Sequence, residues 1–149
     1  MRRAKLDQIA TLEVDEKYAN FDLNGMRLRN FQTVGARFIE EANGNALLGD
    51  EMGLGKTWQA IAYAHAMGFK KVIVIAPASL KPNWYREILK LTGKRARVLY
   101  GASPGQYDIL SVVPSDAEFN WFIINYDILG RKTEEPETTK QNAEGFLVT

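Results

Sequence analysis

The sequence contains no cysteine, a single histidine (His65), and no apolar run approaching the roughly 20 residues that a membrane-spanning helix needs. Without cysteine there is no disulfide framework and no thiolate metal site. A lone histidine on an alanine-rich stretch reads as structural or exposed rather than as a metal ligand. The opening residues, MRRAKLDQIATLEVDE, carry two arginines but no apolar h-region, so they do not read as a secretory signal. A cytoplasmic location is the expectation. Net charge is also nearly absent, at +1.

What is present is 149 residues, 46% of them apolar and 25% charged, the profile of one globular domain. The charge is unevenly spread. Residues 70–97 hold Lys70, Lys71, Lys81, Arg86, Lys90, Lys94, Arg95 and Arg97 against Glu87 alone. A net +7 over that span suits either an anion-binding face or a solvated surface balanced by acidic neighbours.

The hydrophobic pattern alternates between strand and helix signals. A short helix is expected over 5–13, and DLNG (Asp22–Gly25) signals a turn. Over 29–41, Phe31, Val34, Phe38 and Ile39 fall on one helical stripe. ALLG (Ala46–Gly49) reads as a short strand, followed by a glycine loop and a helix from Lys56 to Met67 that stops at Gly68. KVIVIAP (Lys71–Pro77) is continuously apolar and β-branched, as in a parallel strand buried on both faces. Pro82 suits the first turn of a helix to Leu91. RVLYG (97–101), WFIINY (121–126) and FLVT (146–149) are further strands, with a surface loop over 130–145. This order predicts a three-layer α/β fold with a mainly parallel sheet.

The stretch LLGDEMGLGKTWQAIA (Leu47–Ala62) carries the chemistry. A strand, a loop with Gly53 and Gly55, and a helix opening at Lys56 form the setting of a phosphate site. Glycines let backbone N–H groups converge on an anion, and the helix N-terminus adds partial positive charge. Lys56 supplies a mobile cation for the outer phosphates of a nucleotide, and Thr57 a hydroxyl for Mg²⁺. The G-x-x-x-x-G-K-[ST] pattern asks for glycine where Asp50 stands. That residue is tolerable if its side chain points away from the phosphates.

Four segments in order resemble the Swi/Snf-type (sucrose non-fermenting) DNA translocases of helicase superfamily two. They are LRNFQTVGARFI (28–39), GDEMGLGKT (49–57), APASLKPNWYREI (76–88) and FIINYDIL (122–129). The third is similar to that family's P-x-S-L-x-x-N-W-x-x-E motif through Pro77, Ser79, Leu80, Asn83, Trp84 and Glu87. The L-x-x-F-Q-x-x-G opening is also similar to the annealing-helicase branch. The resemblance implies a RecA-like P-loop domain: 1–25 as lead-in, and 26–149 as the first part of ATP-binding lobe 1. It implies that Gln32 reads the adenine edge, through an amide that both donates and accepts. Gly53, Leu54, Gly55, Lys56, Thr57 and Trp58 would form the cofactor site, with Lys56 and Thr57 catalytic and Thr57 on Mg²⁺. Ser79, Lys81, Asn125 and Tyr126 would grip phosphates of DNA, expected as duplex. Trp84 and His65 read as structural residues.

Hydrolysis also needs a carboxylate for Mg²⁺, a group that orients water, and cations for the transition state. The family supplies these from an Asp-Glu-x-His box and a second RecA-like lobe. Neither is in this sequence, which predicts a truncated lobe that binds nucleotide weakly and hardly turns it over. GFLVT looks like the strand leading into such a box. Two other readings stay open on sequence: a non-catalytic nucleotide- or DNA-binding module with the first lobe only, and an unrelated small P-loop kinase.

Overall fold

The computed structural model describes residues 14–101, 107–108, 120–130 and 147–148. The chain divides into two units, Met1–Gly68 with Lys90–Thr92 and Phe69–Leu89 with Gly93–Thr149.

In the first unit, α1 (Glu16–Asn20) starts where the Asp15 carboxylate accepts from the Tyr18 backbone N–H at 3.2 Å. The predicted turn follows, with Gly25 N–H donating to the Asp22 carboxylate at 3.0 Å. The predicted second helix, α2, spans Asn30–Glu41. Its buried face differs from the predicted stripe. Val34 and Ile39 are inside, but Phe31 and Phe38 are about two-fifths exposed, and Gln32, Thr33 and Ala36 fill the face instead.

Helix α3 spans Lys56–Ala66 and ends just before Gly68, as the alanine-rich pattern predicts. The strand expected at Ala46–Gly49 is not formed, and Leu47 is 89% exposed. Four residues, two of them Ala and Gly, have little intrinsic β preference and need a partner edge to become a strand.

A carboxylate anchors this unit. The Tyr18 hydroxyl, on a fully buried ring, donates to Glu40 Oε2 at 2.7 Å, and Lys17 Nζ lies 2.8 Å from both Glu40 oxygens. The Lys17 bond first, and the Tyr18 bond second, hold the Glu40 carboxyl below its ordinary value, while burial pushes the Tyr18 phenol up. A depressed carboxyl contributes stability that is complete above the unfolded pKa and lost as pH falls through the folded one. Tyr18→Phe is therefore expected to raise the pH at which acid unfolding begins. Melting temperatures of the two proteins between about pH 3 and 6 would test this, and parallel curves would refute it.

In the second unit, four parallel strands form a sheet in the order β2-β4-β1-β6. They are β1 (Val72–Ile75), β2 (Ala96–Val98), β4 (Trp121–Ile124) and β6 (Leu147–Val148). A separate parallel pair joins β3 (Tyr107–Asp108) and β5 (Leu129–Gly130). Every residue of β1 and β4 is buried, which is why both read as unbroken apolar runs rather than alternating ones. Ile73 and Ile75 share a core with Phe122, Ile124, Leu99 and Ile128. Helix α4 (Lys81–Thr92) carries Pro82 in its first turn and buries Trp84, Ile88 and Leu91 at helical spacing. The α/β class and the parallel sheet are as the sequence predicts. The expected helix over 5–13 and the loop over 131–145 lie outside the described residues, and Gly130, expected in that loop, closes β5.

Candidate functional site

The loop before α3 is built on two left-handed residues, Gly53 at φ +88° and Gly55 at φ +74°. An L side chain at either position would be strained, so the local sequence folds this way because glycine stands there. Gly55 is also needed for space, because a Cβ would overlap the Gln32 side-chain nitrogen. Immediately after it α3 begins, and Gly55 O accepts from Trp58 N–H and Gln59 N–H at 2.9 and 3.2 Å.

Lys56 folds back over the loop. Its ammonium donates to the carbonyls of Asp50 at 2.6 Å and Glu51 at 3.1 Å. A phosphate oxygen is the stronger partner for that cation, since both groups are then ionised. The ammonium is thus held within reach of the glycine loop, on acceptors it can exchange. Thr57 and Trp58 are half-buried on the same first turn, while Gly53 and Leu54 are exposed. The Trp58 ring is covered by Lys90 Nζ, 5.0 Å from its centroid.

Gln32 is buried on α2, at 7% exposure. Its Oε1 accepts from Arg29 N–H at 2.9 Å, and its Nε2 donates to the Leu54 carbonyl at 3.2 Å. The amide therefore splints the start of α2 to the glycine loop. A primary amide has two donor and two acceptor positions, so one of each is left for a ligand.

Asp50, the letter that departs from the general pattern, points its carboxylate at α3. Gln59 Nε2 donates to Asp50 Oδ2 at 2.9 Å. Gln59 is fully buried, and its Oε1 lies where a Cβ on Gly35 would be. Among the described residues that Oε1 has no hydrogen-bond partner. Sequence reasoning missed this pair. The signals were a glycine in the interior of a helical pattern, Gly35, and a polar residue, Gln59, amid the alanines of α3.

In the second unit, β1, β2 and β4 are parallel, so their carboxyl ends emerge together. Ser79, on the 3-10 turn Ala78–Leu80, is exposed, and Tyr126, on the turn Tyr126–Ile128, is 50% exposed. Lys81 and Asn125 behave differently, at 4% and 6% exposure. Trp84 is packed in the interior, as expected, at 5%. His65 meets Phe21 edge-on, with ring centroids 5.5 Å apart. Among the described residues no group of His, Asp and Glu side chains could hold a metal ion on its own. No helix among them is long and apolar enough to cross a membrane.

Comparison with known proteins gives one consistent answer. The sequence profile of the family described as "SNF2-related domain" matches residues 23–146. The chain is 34% identical over 115 residues to the ISWI chromatin-remodeling complex ATPase ISW2 of Saccharomyces cerevisiae, covering 71% of this chain and 10% of that protein. It is 33% identical over 118 residues to the probable ATP-dependent DNA helicase CHR12 of Arabidopsis thaliana, covering 73% and 11%. It is 32% identical over 110 residues to the ATP-dependent helicase fft3 of Schizosaccharomyces pombe, covering 68% and 12%. The chain thus spans about a tenth of the length of these relatives.

Proposed function

Because this chain belongs to the SNF2-related domain family, we propose that it is the ATP-binding part of an ATP-dependent DNA translocase. ATP turnover by the whole assembly would drive movement along DNA, and a second RecA-like lobe is part of the proposal. Family membership disfavours the unrelated kinase. We place the domain start near residue 26, and the protein wherever the DNA it acts on resides.

The observation that carries this reading is the glycine loop with the Lys56 ammonium drawn across it, at 2.6 Å from the Asp50 carbonyl. Gly53, Leu54, Gly55 and the first turn of α3 present backbone N–H groups to the phosphates of ATP, and Lys56 exchanges its carbonyls for phosphate oxygens. Thr57 holds Mg²⁺, which neutralises charge on the outer phosphates. Gln32 offers its remaining donor and acceptor to the adenine edge, while Trp58 flanks the site. Ser79 and Tyr126 meet DNA phosphates in our reading, and duplex DNA is the partner.

An equilibrium titration of the chain with a fluorescent ATP analogue and Mg²⁺ tests the nucleotide half. Saturable binding that ATP displaces, and that weakens when Mg²⁺ is chelated, is expected. Binding insensitive to both ATP and chelator would remove the site assignment.

A further inference from the structure

Lys81 belongs to the most basic stretch of the sequence, yet it is the one charged side chain among the described residues that is buried. Two backbone segments, at 99–100 and at 125, converge on it. Its Nζ donates to the Leu99 carbonyl at the end of β2 at 2.8 Å. It donates to Asn125 Oδ1, just past the end of β4, also at 2.8 Å. The Tyr100 ring lies on the ammonium, with its centroid 4.7 Å away. An ammonium has three N–H donors. Two are spent on neutral oxygens and the third faces an aromatic ring, so none is presented to solvent at 4% exposure.

The chain of contacts continues outward. Asn125, with its Oδ1 occupied by Lys81, donates through Nδ2 to Asp127 Oδ2 at 3.1 Å. The amide can take only one orientation between a cation and a carboxylate, because reversing it would set N–H against ammonium and oxygen against carboxylate. That fixed amide roots the 3-10 turn Tyr126–Ile128, which carries the half-exposed Tyr126 and the exposed Asp127.

We propose that Lys81 is a positioning residue rather than a phosphate ligand: it locks Asn125 and thereby sets the Tyr126–Ile128 turn that follows the carboxyl end of β4, where our reading places DNA. The assignment rests on the DNA reading above for its functional consequence, and on geometry alone for its structural one. Lysine suits the task because its apolar stem runs through the interior while its tip reaches two strand ends that share no side chain. Burial lowers the Lys81 pKa, so a cation is kept here against the cost of desolvation. Leu99 O and Asn125 Oδ1 receive that cation in return. Without it, two buried acceptors lose their donor at once.

The test compares Lys81→Met, Asn125→Ala and the double variant in the full chain with a short DNA duplex, over a range of salt concentrations. A direct phosphate contact contributes about 0.9 to the slope of log K against log salt. A positioning role predicts that Lys81→Met weakens binding by about tenfold with the slope unchanged. It also predicts that Asn125→Ala does the same and that the double variant loses no more than either single. A slope lowered by about 0.9 in Lys81→Met, with Asn125→Ala silent, would overturn the proposal. Amide hydrogen exchange supplies an arm independent of DNA. The Leu129 N–H, which donates to Tyr126 O across the turn, should exchange faster in both single variants but not in Ser79→Ala. Unchanged exchange in Lys81→Met would also overturn the proposal. If the unaltered chain shows no salt-dependent duplex binding, the DNA reading fails and the exchange arm decides the Lys81 assignment alone.

Discussion

Lys56→Ala is expected to weaken ATP binding by about 10- to 150-fold, the loss of one charge-assisted contact worth roughly 1.5–3 kcal/mol. In the whole two-lobed assembly proposed above, the same change is expected to abolish DNA-stimulated turnover. The structure refines how that loss arises. Before nucleotide arrives, the ammonium already donates to Asp50 O and Glu51 O at 2.6 and 3.1 Å. In the proposed site, binding would exchange those carbonyls for phosphate oxygens, so the measured penalty is a difference between two sets of contacts. Alanine removes both sets. Lys56 is half-buried and its ammonium bonds two carbonyls of exposed loop residues, so the melting temperature should move little. The measurement is a calorimetric ATP titration beside a thermal melt of the same variant. Unchanged affinity with an intact fold would sink the phosphate role of Lys56. A collapsed melting temperature would show that the lysine serves the loop itself.

The two readings that the sequence made least well concern the same kind of error, in which a residue's type was taken for its environment. Lys81 reads from the sequence as part of a basic stretch suited to an anion-binding or a solvated face, and by resemblance as a DNA-phosphate contact, whereas the structure buries it. Nothing in the sequence shows that a β2 carbonyl and an Asn125 amide converge on it, since those partners lie 18 and 44 residues away. Phe31 and Phe38 were placed inside on periodicity, but helix α2 turns a face of Gln32, Thr33 and Ala36 inward. The expected strand at 46–49 failed for a related reason, because strand formation depends on a partner edge and not only on local letters. Elements with unbroken apolar cores were legible. VIVI and WFII are buried at every position, so no register choice could disguise them. Helix α3 was legible from its glycine entry and exit. The glycines of the loop were legible too, because a left-handed residue before a helix leaves few alternatives.

Gly35→Ala carries the largest expected effect on stability, and its sign depends on a second residue. Glycine in the interior of a helix costs about 1 kcal/mol relative to alanine, so by propensity alone the substitution should stabilise α2. The space it would fill is occupied. A Cβ at position 35 would overlap Oε1 of Gln59 and stand 2.5 Å from its Cδ. Gln59 is fully buried and its amide donates to Asp50 Oδ2 at 2.9 Å, so making room for a Cβ means moving a buried amide off that bond. Overpacking of this kind costs about 1–3 kcal/mol. Displacing the amide from a charged acceptor costs roughly 1.5–3 kcal/mol more. The net expectation is a loss of about 2 kcal/mol or more, or some 4–8 °C in melting temperature for a domain of this size. With Gln59→Ala already in place, the overlap disappears and only the helix preference remains. Gly35→Ala should then raise stability by up to about 1 kcal/mol. The four proteins of this double-mutant cycle, compared by urea denaturation, should give a coupling energy well away from zero, because Gly35→Ala destabilises in one background and stabilises in the other. An equal cost of Gly35→Ala in both backgrounds would rule out the close approach as its cause. The same cycle bears on the nucleotide loop, because Gln59→Ala frees the Asp50 carboxylate whose backbone carbonyl receives Lys56. A weaker ATP site in Gln59→Ala, with Thr57 and Lys56 untouched, is the expected companion result.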